Sequence, residues 1–103
     1  MSGRLRVFGV AFMLAVLISC ATMPPLQEMS NARQTIAAAK EFSDEAKNNK
    51  RILEAERLLA RAERRLEFYY FEAARLDAVR AQSEAIDYLE AALIDETDSL
   101  EPD

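Results

Sequence analysis

Residues 53–76, LEAERLLARAERRLEFYYFEAARL, decide how this chain is read. Ala55-Glu56-Arg57-Leu58-Leu59 recurs seven residues later as Ala62-Glu63-Arg64-Arg65-Leu66. A seven-residue repeat of small and aliphatic positions is a helix-packing signal. It predicts a helix over residues 50–67 with a seam of Ile52, Ala55, Leu59, Ala62 and Leu66, broadened by Leu58. The next apolar series, Leu76, Val79, Ile86, Leu89 and Leu93, predicts a helix over residues 72–94. Continuing the first heptad would place Arg80, Asp87 and Glu90 in the apolar seam. At about 100° per residue the two stripes would then lie on nearly opposite sides of one rod. A reversal between residues 67 and 72 would bring both stripes to one core, so the expectation is a helical hairpin. The alternative is one helix over residues 44–95 that self-associates as a coiled coil, because Glu67-Phe68-Tyr69-Tyr70-Phe71 holds none of the usual turn residues.

Upstream, Met29, Ala32, Ile36 and Ala39 recur at helical spacing, with Phe42 closing the series, and Gln27, Arg33, Gln34 and Lys40 fall on the other side. This predicts a helix over residues 26–42. Residues 43–49, SDEAKNN, form the internal break, since Ser, Asp and Asn favour caps and turns. Between Leu26 and Glu101 there is no Gly and no Pro, and strand-like alternation is absent. The predicted fold class is all-α: three helices dominated by an antiparallel hairpin.

The N-terminus reads differently. Arg4 and Arg6 precede an apolar run from Val7 to Ile18 broken only by Gly9. Twelve residues are too few to span a bilayer, which takes about 20. A basic start and a short apolar stretch read as a secretory signal. The run ends in Leu17-Ile18-Ser19-Cys20, which resembles the lipobox of bacterial lipoproteins. The resemblance implies cleavage after residue 19, acylation of Cys20 and attachment to a lipid membrane. Ala21 follows the cysteine where Asp would signal inner-membrane retention, so the implied location is the outer membrane, facing the periplasm. The domain reading is a signal peptide over 1–19, a lipidated tether over 20–25, an alanine-rich helical domain over 26–94 and an acidic disordered tail over 95–103.

Composition bounds the chemistry. The full chain of 103 residues carries net charge −5, with no His and one Cys. Removing residues 1–19 takes away two arginines and no acid, which leaves 11 basic against 18 acidic residues, or −7. Five of those acids stand in the last nine residues. No side chain has an ordinary pKa near neutrality, and one cysteine closes neither a disulfide nor a cysteine-rich zinc site. No phosphate loop or dinucleotide fingerprint occurs. Neither an enzyme, a metal site, a cofactor nor a small-molecule substrate is expected, and a negative, exported chain is a poor nucleic-acid ligand.

Residues 30–94 resemble the alanine-rich helical domain of unknown function found in bacterial envelope lipoproteins. The resemblance rests on residues 31–40 (NARQTIAAAK), 53–63 (LEAERLLARAE) and 70–76 (YFEAARL). The placing of apolar and alanine positions is similar to tetratricopeptide-like hairpins. The resemblance implies a helical interaction module of the envelope, an adaptor or scaffold with an envelope protein as partner. Self-association as a structural lipoprotein and pilotin-like carriage of an envelope component are the alternatives. Two features are candidate contacts: the aromatic cluster Phe68, Tyr69, Tyr70 and Phe71, and a cationic stripe of Lys50, Arg57, Arg61 and Arg64 suited to anions.

Overall fold

A computed structural model describes residues 23–100. Within them the chain is all-α, with three helices and one short 3₁₀ segment. The expected signal peptide and the lipobox-like stretch with Cys20 lie outside the described residues.

Helix α1, Leu26–Phe42, begins directly after Pro24 and Pro25. The Met29 N–H donates to the Pro25 carbonyl at 3.1 Å, and Glu28 lies in the first turn, where a carboxylate complements the helix dipole. Ser43 then turns extended and its side chain accepts from the Glu45 N–H, which caps the 3₁₀ segment Asp44–Asn48. Asn49 accepts from the Arg51 N–H at 2.9 Å and caps α2, Lys50–Glu67. The break expected over residues 43–49 is thus two successive side-chain caps, each satisfying backbone donors that a helix start leaves open.

Between α2 and the third helix the chain reverses in three residues, Phe68, Tyr69 and Tyr70. The Tyr70 N–H reaches back to the Arg65 carbonyl at 2.9 Å and the Tyr69 N–H to the Leu66 carbonyl at 3.0 Å, while Tyr69 takes φ 62°. That pair of bonds around one left-handed residue is the Schellman ending of a helix, a place usually held by glycine. The hairpin therefore forms with no conventional turn residue. Helix α3, Phe71–Leu100, follows at once. It runs six residues beyond the expected end at residue 94, so residues 95–100 are helical where the sequence suggested a disordered tail.

Cross-helix ion pairs give the directions. Arg51 meets Asp87 and Arg61 meets Asp77, so α2 and α3 are antiparallel. Arg33 meets Glu63 and Lys40 meets Glu56, so α1 is antiparallel to α2 and runs alongside α3. The core holds Met29, Ala32, Ile36 and Ala39 from α1, as expected. From α2 it takes Ile52, Ala55, Leu58 and Ala62, with Leu59 and Leu66 only partly covered.

Helix α3 departs from expectation. Its buried residues are Ala74, Asp77, Ala78, Ala81, Ala85 and Tyr88. Leu76, Val79, Ile86 and Leu93 are exposed, and Leu89 alone of the expected stripe packs partly against the core. The reason is steric and electrostatic together. α3 lies against both other helices, and a row of alanines lets three backbones approach closely where leucines would hold them apart. Asp77 is drawn inward by two arginines of α2, which fixes the rotation of the helix.

Candidate functional site

The rotation of α3 leaves an apolar stripe on its outer face. Leu76, Val79, Ile86, Leu93 and Leu100 recur at three- and seven-residue steps, interrupted by Ser83, Glu90 and Thr97. These are the a and d positions of a heptad, the seam that one helix offers another. All five large side chains are exposed, Leu76 by 60% and Leu100 by 76%. Fully covering each such side chain contributes about 1.5–3 kcal/mol. Five residues of this kind along one side of one helix form an apolar stripe, broken by the three polar positions, with the spacing that a partner helix uses.

What holds the stripe outward is the clamp at Asp77. The carboxylate is 2% exposed. The Arg61 Nε and Nη2 donate to its two oxygens at 2.9 and 2.8 Å, and the Arg65 Nη1 adds a third bond at 2.9 Å. Burial pushes the Asp77 carboxyl upward, but the bonds and charges of Arg61 and Arg65 outweigh it and hold it below the usual carboxylate range. A bidentate arginine contact is geometrically strict. Turning α3 to bury Leu76 would strip the carboxylate of all three bonds.

The clamp also divides the expected cationic stripe. Arg61 points into the α2–α3 interface, and Arg57 is held by Glu54 through bonds of 2.8 and 2.6 Å. That contact pulls the Glu54 carboxyl down. Among the described residues Lys50 and Arg64 make no ion pair, so the four cations do not present one free face. Arg65 and Asp77 were not legible as a site from charge alone. The available signal was Asp77 standing inside the row Ala74, Ala78, Ala81, a carboxylate on the small-residue face of a helix.

The aromatic cluster falls as three residues out and one partly in. Phe68, Tyr69 and Tyr70 are exposed by 67, 79 and 63%, and Phe71 is half-buried. The rings contact one another instead of the core. Phe68 stacks on Tyr70 at 6.2 Å, and Tyr69 meets Phe71 edge-on at 5.8 Å. A shallow cleft between α1 and α2 is floored by Ile36, Ala37, Leu59 and Ala60 and bridged by the Arg33–Glu63 and Lys40–Glu56 pairs. Its apolar floor is spanned by these two ion pairs, unlike the bare stripe of α3.

Among the described residues no cluster of His, Cys, Asp and Glu is arranged to hold a metal ion, and no helix is long and apolar enough to cross a membrane. Compared with protein-family models, curated proteins and solved structures, the chain matches none of them. The likeness to envelope lipoproteins rests on the residues quoted for it above.

Proposed function

We propose that this chain is a lipid-anchored, periplasm-facing helical module of the bacterial cell envelope, an adaptor or scaffold that docks an envelope protein along the outer stripe of α3. The observation that carries the reading is the inversion of α3, with alanines in and aliphatics out. A helix that leaves five large aliphatics in water forgoes several kcal/mol that a partner's burial would supply. The lipobox-like Leu17-Ile18-Ser19-Cys20 supports the anchor.

The chemistry of the stripe also describes its occupant. Glu90 stands in the seam between Ile86 and Leu93. A partner helix with aliphatics at heptad spacing and a lysine or arginine opposite Glu90 would cover the stripe without stranding a carboxylate, because an unpaired buried charge is costly. A second copy of the chain is the other reading. The first half of α3 carries Arg75 and Arg80 but also Glu72, Asp77 and Glu84, and the second carries Asp87, Glu90, Asp95, Glu96 and Asp98, so two antiparallel copies would set one net-negative half against another. That pairing seats Glu90 of each copy against aliphatic side chains, which favours the foreign partner.

In-cell photocrosslinking from positions 79, 86 and 93 tests the reading, with buried position 81 as control. One dominant foreign adduct from the outer positions is expected. Self-adducts alone would move the assignment to a paired structural lipoprotein, and the absence of adducts would overturn the stripe as a docking surface. The anchor is tested separately by palmitate labelling of the chain and of Cys20→Ala.

A further inference from the structure

The turn end of the hairpin is where the proposed anchor must leave the fold. The Arg75 Nη2 donates to the Met23 carbonyl at 3.2 Å, and its Nε to Glu28 at 3.3 Å, which ties the start of α1 beside the start of α3. Met29 packs with Ala62 and Ala74 at the same end. Cys20 precedes Met23 by three residues, a span of at most about 11 Å. Any acyl chain on Cys20 therefore holds this end of the module within about a headgroup's depth of the bilayer.

The same end is the part of the described chain that concentrates exposed aromatic rings. Phe68, Tyr69 and Tyr70 project from the Schellman turn, and Met23 and Leu26 are exposed by 56 and 60% next to it. Tyr69 sits at φ 62°, a left-handed position that a β-carbon disfavours and that glycine takes freely. An aromatic residue is thus spent on a position that local geometry would give to glycine, and its ring points away from the core. Arg64, in the last turn of α2, is exposed close by and makes no ion pair among the described residues. The acids Asp95, Glu96 and Asp98 stand toward the far end of α3, about 36–40 Å away along the helix at about 1.5 Å per residue.

We infer that Phe68, Tyr69 and Tyr70, with Met23 and Leu26, form a tip that seats in the headgroup zone of the membrane holding the anchor, so that the module stands upright with its acidic end outward. Tyrosine suits this zone, since its ring prefers the acyl boundary while its hydroxyl stays hydrated, and the Phe68 ring adds apolar area at that boundary. Arg64 supplies a cation for lipid phosphate, beside the exposed carboxylates of Glu67 and of Glu72, the latter paired with Arg75. The acids at the other end oppose lying flat on an anionic surface. The inference rests on the anchor proposed above, and it concerns a surface distinct from the α3 stripe.

The chain contains no tryptophan, so one introduced tryptophan reports alone. Tyr69→Trp and, separately, Leu100→Trp are placed in the full chain, expressed with its own leader and reconstituted in phosphatidylethanolamine–phosphatidylglycerol vesicles containing brominated lipid. Tyr69→Trp is expected to shift its emission to the blue and to be quenched several-fold more by brominated lipid than Leu100→Trp, with acrylamide quenching in the reverse order. Tyr70→Trp repeats the test should the first variant alter the circular dichroism spectrum. Equal acrylamide access at both ends, with no lipid quenching at position 69 or 70, would overturn the tip. So would a dominant protein adduct from a photocrosslinker at position 69. Palmitate labelling of the same preparation reads the anchor by itself. If labelling is negative, the Cys20 thiol is coupled to a maleimide-bearing phospholipid and the quenching repeated, which separates a failed anchor from a failed tip.

Discussion

Along α3 the inner face is alanine, Asp77 and Tyr88, while the outer face is leucine, valine and isoleucine, the reverse of what burial by hydrophobicity alone would choose. The inner face gains from closeness: Ala74, Ala78, Ala81 and Ala85 let α1 and α2 both reach the helix backbone. The outer face keeps its apolar area for something else. α1 shows the contrast within the same fold, because it buries Met29 and Ile36 along with its alanines and leaves only short or polar residues outside, apart from the terminal Leu26 and Phe42. Each of the three helices touches the other two, but α3 packs the most extensively against both, and there small residues let the backbones come close. The surplus aliphatics of α3 are then free to serve as a surface.

That contrast can be broken from either side. Ala81→Leu puts a large side chain into the row of alanines, and overpacking of this kind typically costs about 1–3 kcal/mol. With about 4–8 °C of melting temperature per kcal/mol for a domain of this size, thermal denaturation followed by circular dichroism should show the largest loss of the set. Asp77→Ala removes the clamp. Because Arg61 and Arg65 remain about one-third exposed and can rehydrate, the loss should fall below the 3–5 kcal/mol usual for a broken buried pair, at about 2 kcal/mol. The same substitution frees α3 to rotate, so disulfide trapping between cysteines placed at positions 58 and 79 should rise from background in Asp77→Ala only.

The clamp also predicts a pH response. Its carboxyl lies lower in the folded chain than in the unfolded one, so folding gains stability above about pH 4, the ordinary carboxylate range, and loses it as pH falls toward the lower folded value. Asp77→Asn should flatten this acid limb of the stability curve in urea titrations at pH 3 to 6. A limb of unchanged slope would mean that other carboxylates govern acid unfolding.

Tyr69→Gly acts in the opposite direction. Relief at φ 62° should stabilise the hairpin by about 0.5–1 kcal/mol, partly offset by the freer unfolded chain. It should also weaken seating of the tip in vesicles. The smallest effect on folding is expected outside: Ile86→Ser should leave stability within about 0.5 kcal/mol, as surface changes usually do, while abolishing partner crosslinks from position 79.

Much of this architecture was legible from residues alone. Ser43 and Asn49 cap where their side chains can accept a backbone N–H, and the bounds of α1 and α2 follow from them. The repeat over residues 55–66 gave the inward face of α2 to within one residue. The phase of α3 was not legible, because the expectation ranked Leu, Val and Ile above Ala as core formers and gave no weight to Asp77. Reading residues 74, 78, 81 and 85 as a small-residue heptad, with a carboxylate among them facing Arg61 and Arg65, would have turned the helix correctly. The turn was expected in place, but its chemistry was hidden by a tyrosine holding a glycine position. Residues 95–100 were expected to be disordered from their charge, and they continue the helix because no Gly or Pro interrupts the chain before residue 102.

The last eight residues of α3, 93–100, are all exposed and reach past the bodies of α1 and α2. They are held by the backbone bonds of their own helix, with Thr97 and Ser99 returning side-chain bonds to the Leu93 and Glu96 carbonyls. Asp95, Glu96 and Asp98 lie at the negative end of the helix dipole with no basic residue in the last turn to offset them. Such a segment opens locally at a small fraction of the global unfolding free energy. Amide exchange along α3 should therefore form a gradient, slowest around Ala78 and Ala81 and fastest beyond Leu93. A partner that grips Leu93 and Leu100 must also quiet this fraying, so its affinity will depend on how well the last two turns are already wound before it arrives.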